Sequence, residues 1–219
     1  MTHSTLSQHQ QMLAFLNMVE IPEGEFLYGS SDSDAMAYND EKPQKTIFLP
    51  SFRIARTCVT NKQWSVFLQE SGYKPTKEAH DGDYLRHWEQ SKYPTHLENH
   101  PVVNVSKHNA DAFCSFYGLR LPTEQEWEKA VRGKDGRLYS WGGTVGSFLQ
   151  GTFSCGLLDC VGNAMEWTSS PYDSSSNSRF SLRGGYYLYL ASLVRCSPHY
   201  YRTPAHCYGF IGFRPAQDT

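Results

Sequence analysis

The stretch RLPTEQEWEKAVRG (120–133) carries both ends of a short helix. Thr123 is placed to accept a hydrogen bond from the backbone N–H three residues on, and Glu126 to reach back to Thr123, a capping box. Gly133 closes the helix. Working outward, two earlier segments follow the same grammar. In TNKQWSVFLQESG (60–72), Thr60 and Gln63 form the box and Gly72 ends the turn. In SKHNADAFCSFYG (106–118), Ser106 is the cap, and Ala110, Phe113, Cys114 and Tyr117 fall on one apolar stripe before Gly118.

Strand signals surround these helices. MVEIPEGEFLYGS (18–30) alternates apolar and polar residues around Pro22 and Gly24, and KTIFLPSFRIARTCVT (45–60) is strand material. Residues 30–44 are a polar loop, and 73–105 are rich in Tyr, His, Pro and Trp without a clear period. Beyond 133, Gly and Ser punctuate short strands, and SSPYDSSSNSRF (169–180) is expected to be a flexible polar loop. The expected organisation is a polar N-terminal extension, 1–17, either a short helix or disordered, followed by one α+β domain, 18–219.

Composition sets the outer bounds. A chain of 219 residues with 39% hydrophobic content supports a sizeable core. A net charge of −2 lacks the basic excess of a general nucleic-acid binder. No apolar run approaches the roughly 18–20 residues of a membrane span, and the N-terminus lacks the basic start of a signal peptide. The expected location is cytoplasmic or phage-associated. The six cysteines (58, 114, 155, 160, 196, 207) are then expected as free thiols.

The capped helix at 120–133 is followed, in order, by CGLLDCVGNAMEWT (155–168) and by a segment that opens with RGG at 183–185 and closes with GFR at 212–214. With MVEIPEGEFLYGS, VTNKQWSVF and HPVVNVSKHNADAFC upstream, the chain resembles the formylglycine-generating-enzyme/sulfatase-modifying-factor family over about residues 18–216. The resemblance implies a variant of the C-type-lectin fold: a twisted antiparallel sheet, two main helices and much irregular backbone. A fold of this kind hosts several functions, so function has to be argued from the site.

The family's enzymes oxidise a substrate cysteine with copper held by two cysteines, six and eleven positions after the Arg of RGG. Here those positions are Tyr189 and Val194, and neither offers the soft thiolate that Cu(I) prefers. Catalytic residues are therefore expected to be absent. Cys196 and Cys207 lie nearby at the wrong register, and Cys196 reads as a small buried hydrophobe. His96 and His100 stand at i, i+4, but Pro94 and Pro101 argue against a helical metal pair. In VGNAMEW (161–167) the resemblance places Asn163 and Glu166 where several relatives bind calcium, an ion suited to hard oxygen ligands. The other reading pairs Glu166 with a buried arginine such as Arg183 or Arg214. No cofactor is expected for this chain beyond calcium at that loop.

Residues 183–214 hold six of the 14 tyrosines and no Asp, Glu, Lys, Asn, Gln, Trp or Met. Arg183, Gly184, Gly185, Arg195, Pro204, Gly212, Phe213 and Arg214 keep the family spacing. Between them stand Tyr186, Tyr187, Leu188, Tyr189, Leu190, Leu193, Tyr200, Tyr201, Arg202, Thr203, His206, Cys207 and Tyr208. This arrangement, 186–211, looks like the variable region of diversity-generating-retroelement target proteins, in which adenine-directed mutagenesis of AAC-type codons cannot produce Lys, Glu, Gln, Met or Trp. Tyrosine provides large amphipathic contact area with only two torsions to freeze, and Tyr and Arg are enriched among interface hot spots. Adjacent tyrosines such as Tyr200 and Tyr201 point to opposite sides of an extended chain, so one of each pair is expected outside. The reading is a non-enzymatic, receptor-type binding protein for a protein or other macromolecule. The alternative is a formylglycine-generating-type oxidase or a related metal-dependent oxidoreductase.

Overall fold

The computed structural model describes residues 7–142, 156–173, 176–185, 188 and 193–219. Its described elements are four short helices and nine short strands, an α+β architecture. All three expected helices form where their caps lie: α2 (Asn61–Ser71), α3 (Lys107–Phe116) and α4 (Glu124–Arg132), each opened by a complete capping box. An additional helix, α1 (Gln8–Leu16), lies in the segment read as an extension. Ser7 and Gln10 cap it, and Met12 and Leu16 are buried in the main core. Gln63 donates to the Phe15 carbonyl at 2.8 Å, and the His9 ring contacts the Tyr117 carbonyl. Four helices of 9–11 residues thus share the work that the resemblance gave to two main ones.

The 18–30 segment contributes two strands that pair elsewhere rather than with each other. β1 (Met18–Ile21) runs antiparallel to β4 (Phe52–Ala55), which also pairs with the C-terminal β9 (Ala216–Asp218). β2 (Gly24–Tyr28) pairs with β3 (Lys45–Leu49). The third sheet has the order β7-β6-β5-β8, built from β5 (Met165–Asp173), β6 (Ser176–Arg183), β7 (His199–Arg202) and β8 (Ile211–Gly212). β5 and β8 are parallel; the other pairs are antiparallel. Most of 169–180, expected as a loop, is therefore strand. Its polar residues hid the alternation, and Pro171 sits at a register shift, where a missing N–H is tolerated.

Two apolar clusters flank this sheet. On one side Trp64 stacks on Phe113 at 5.8 Å, with Phe67, Tyr117 and Phe213 packed edge-on or tilted around them. On the other, Trp127 of α4 meets Ile54, Cys160 and Cys196.

Candidate ligand-binding surface

The C-terminal segment is held by arginines that point inward. Arg214 donates to both oxygens of Glu166 at 2.7 Å, and both side chains are fully buried. Arg195 grips Glu41 through two 2.8 Å bonds and reaches Asp34 at 3.0 Å. Arg183 pairs with Glu128 of α4, donates to the Ser197 carbonyl at 2.6 Å and lies over the Trp127 ring. Such planar, bidentate contacts suit the guanidinium fork. The carboxylates missing from 183–214 are thus supplied by distant segments, one of them the polar loop 30–44.

Strand β7 then divides the sequence-predicted residues between two faces. It pairs with β6 so that Ser181 lies opposite Tyr201 and Leu182 opposite Tyr200. Because successive side chains alternate, Tyr201 and His199 share one face and Tyr200 and Arg202 the other. Tyr200 packs against the main core and donates to the Leu193 carbonyl at 3.1 Å. Tyr201 is 38% exposed. Its ring lies 4.1 Å from that of Tyr172, and the Arg179 guanidinium sits over it at 4.4 Å. Sequence reasoning missed Tyr172 and Arg179, because both fall in the stretch read as a loop.

Beside this ring pair is a cavity of about 340 Å³ lined by Tyr28, Asp40, Glu124, Tyr172, Ser181 and His199. The His199 ring stands 3.4 Å from Asp40. Tyr28 and Glu124 line it side by side; burial pushes the Tyr28 phenol pKa up, Arg183 opposes the rise, and Glu124 and Glu128 add to it. Asp40 comes from the same loop as Glu41, so the Arg195–Glu41 pair helps to position this wall.

On the opposite face, Arg202 lies over the Tyr208 ring at 5.6 Å, His206 meets that ring edge-on, and Phe210 stacks on it at 5.3 Å. Thr203 is half-buried, and its carbonyl accepts from the His206 backbone. Leu188 is 69% exposed, and Leu193 is half-buried. Tyr186, Tyr187, Tyr189 and Leu190 lie outside the described residues. Cys207 does not belong to a surface. It is fully buried, its backbone N–H donates to Asp81, and burial pushes its thiol up to about 12.

The metal expectations meet the same geometry. Glu166 accepts from Arg214, from the Trp127 indole at 2.7 Å and from the Cys58 thiol at 3.3 Å. Four donors saturate a carboxylate, so Glu166 does not fit as a calcium ligand. The reading that paired it with Arg214 is the one realised. Asn163 instead lines a separate cavity with Asn61, His87 and His100. Val194, at the second cysteine position of the enzymes, is 2% exposed and apolar. Among the described residues, no group of three or more His, Cys, Asp or Glu is arranged to hold a metal ion, and no helix is long and apolar enough to cross a membrane.

The model of the sulfatase-modifying factor enzyme 1-like domain matches residues 3–153 and 143–219. The chain belongs to this family. It is 30% identical over 211 residues to the formylglycine-generating enzyme of Thermomonospora curvata, covering 68% of this chain and 70% of that protein. It is 29% identical over 267 residues to the inactive C-alpha-formylglycine-generating enzyme 2 of Bos taurus, covering 92% and 88%. The family therefore includes members named as enzymes and members named as inactive. The fold is shared with PvdO from Pseudomonas aeruginosa (TM-score 0.74, 20% identity, 92% and 94% covered). It is shared also with variable protein 1 of Treponema denticola (TM-score 0.66, 21% identity, 92% and 95% covered). The C-type-lectin-like architecture expected from the motifs is the one found.

Proposed function

We propose that this chain is a non-enzymatic binding protein that holds a macromolecular ligand on the surface around β7, and that a retroelement diversifies residues 186–211. The observation that carries the reading is the placement of Tyr201. It packs against the tilted ring of Tyr172 beneath Arg179 at the protein surface, while the arginine frame beneath is buried and charge-paired. A surface of this kind changes its exposed rings at little cost to the fold, about 1 kcal/mol or less for each substitution. The partner is a protein or comparable macromolecule.

The test is genomic. The coding locus is expected to hold a near-repeat of the 186–211 segment, with adenines at the variable codons, beside a reverse transcriptase. Isolates are expected to differ at those codons. A locus with neither the repeat nor the polymerase removes the diversification.

The second reading, a formylglycine-generating-type or related metal-dependent oxidase, draws on the enzymes in the family. It requires copper-dependent oxygen uptake with a cysteine peptide. Val194 gives such a site no second thiolate, so none is expected. Stoichiometric Cu(I) binding with turnover would establish the oxidase instead.

A further inference from the structure

The cavity beside Tyr201 and Tyr172 has a composition that selects among ligand groups. Two carboxylates, Asp40 and Glu124, line it, together with the hydroxyls of Tyr28 and Ser181 and the His199 ring. The neighbouring cations are engaged elsewhere. Arg183 is paired with Glu128, which also takes Arg132 at 3.3 Å, and Arg179 lies over the Tyr172 and Tyr201 rings at the rim. Glu124 lines the cavity beside Tyr28 and makes no ion pair among the described residues. An anion entering here would meet two like charges. An apolar group would strip water from several polar atoms and return no hydrogen bonds. A lysine or arginine head fits: it donates to the carboxylate oxygens of Asp40 and Glu124 and to the hydroxyl oxygens of Tyr28 and Ser181.

We propose that this cavity receives a cationic side chain, lysine or arginine, projecting from the protein ligand. The proposal rests on the binding reading above and adds a fixed anchor to it. Tyr28, Asp40, Glu124, Tyr172 and Ser181 lie outside 186–211; only His199 lies within it. The anchor would stay largely constant while the surrounding rings vary.

The test uses the full chain and small probes. N-acetyl-lysine amide and N-acetyl-arginine amide are titrated by NMR against N-acetyl-norleucine amide and N-acetyl-glutamate amide. Both cationic probes are expected to bind and to perturb signals of Tyr28 and Tyr172, and the neutral and acidic probes are not. Glu124→Gln removes the charge at nearly constant size, and Asp40→Asn lies at the rim; each is expected to weaken binding at least tenfold with the fold intact by circular dichroism. Absence of binding by the cationic probes, equal binding of the norleucine probe, or binding unchanged in both variants would overturn the proposal. None of those outcomes bears on the codon variation at 186–211, so the anchor and the display reading fail separately.

Discussion

Arg214 and Glu166 lock together through two parallel 2.7 Å hydrogen bonds in a site with no solvent access. One residue lies near the C-terminus and the other on β5, so the pair ties the end of the Tyr-rich segment to the centre of the sheet. The same carboxylate also takes the Trp127 indole, which couples the sheet to α4. Removing one member leaves a buried charge without a counter-charge, a loss of about 3–5 kcal/mol. Arg214→Met and Glu166→Leu are each expected to lower the urea-unfolding free energy by that order. The double variant is expected to be less destabilised than the sum of the two, as a double-mutant cycle would show.

Tyr201 is expected to behave in the opposite way. Its ring contacts are at the surface, and an aromatic pair is worth about 0.5–1.5 kcal/mol. Tyr201→Ala is expected to cost about 1 kcal/mol. Phe113→Ala, in the middle of the stacked core, is expected to cost about 3–5 kcal/mol. Thermal or denaturant unfolding of the two variants distinguishes the display position from the packing position.

The first glycine after Arg183 leaves no room for a side chain. Gly184 has φ of +97°, and an added Cβ would lie 2.6 Å from the Cys160 carbonyl oxygen. Left-handed strain and overpacking combine there, and Gly184→Ala is expected to cost about 2–4 kcal/mol, read from the denaturation midpoint.

The buried thiols give a pH signature. Burial pushes Cys160 and Cys196 up to about 12 from an ordinary value of 9.0. In the unfolded chain these thiols ionise near their ordinary value, so their contribution to stability is complete below about pH 9. It is lost as pH rises through the interval to about 12. Iodoacetamide at pH 8 is expected to leave both unlabelled in the folded protein and to label both in denaturant, as peptide mass mapping would show.

Helix α1 is expected to act as part of the domain. Leu16 is 2% exposed and sits in the main core, so Leu16→Ala is expected to cost about 2–5 kcal/mol. An appendage would lose nothing, and calorimetry separates the two.

What could be read from the chain was local. Thr60, Ser106 and Thr123 cap helices because a hydroxyl and a side chain three residues on satisfy nearby backbone groups. The ordered motifs identified the family for the same kind of reason, since their spacing lies along the chain. The strands at 169–180 were hidden by their polar composition, which outweighed a pairing that only β7 and the rest of the sheet make evident. Alternation predicted that Tyr200 and Tyr201 would diverge, and only the tertiary structure decided which of them reached solvent.

By itself, then, the sequence determined the three capped helices α2, α3 and α4, the glycines that close them and a tyrosine-rich segment set among regularly spaced arginines and glycines. The tertiary structure decided the partners: Glu128 for Arg183, Glu41 for Arg195 and Glu166 for Arg214. It also buried Cys207 and brought Asp40 and Glu124 together beside Tyr172. Caps and turns are satisfied within a few residues, whereas a buried charge takes whichever counter-charge the packed chain brings within about 3 Å. Sequence spacing carries no information about that distance.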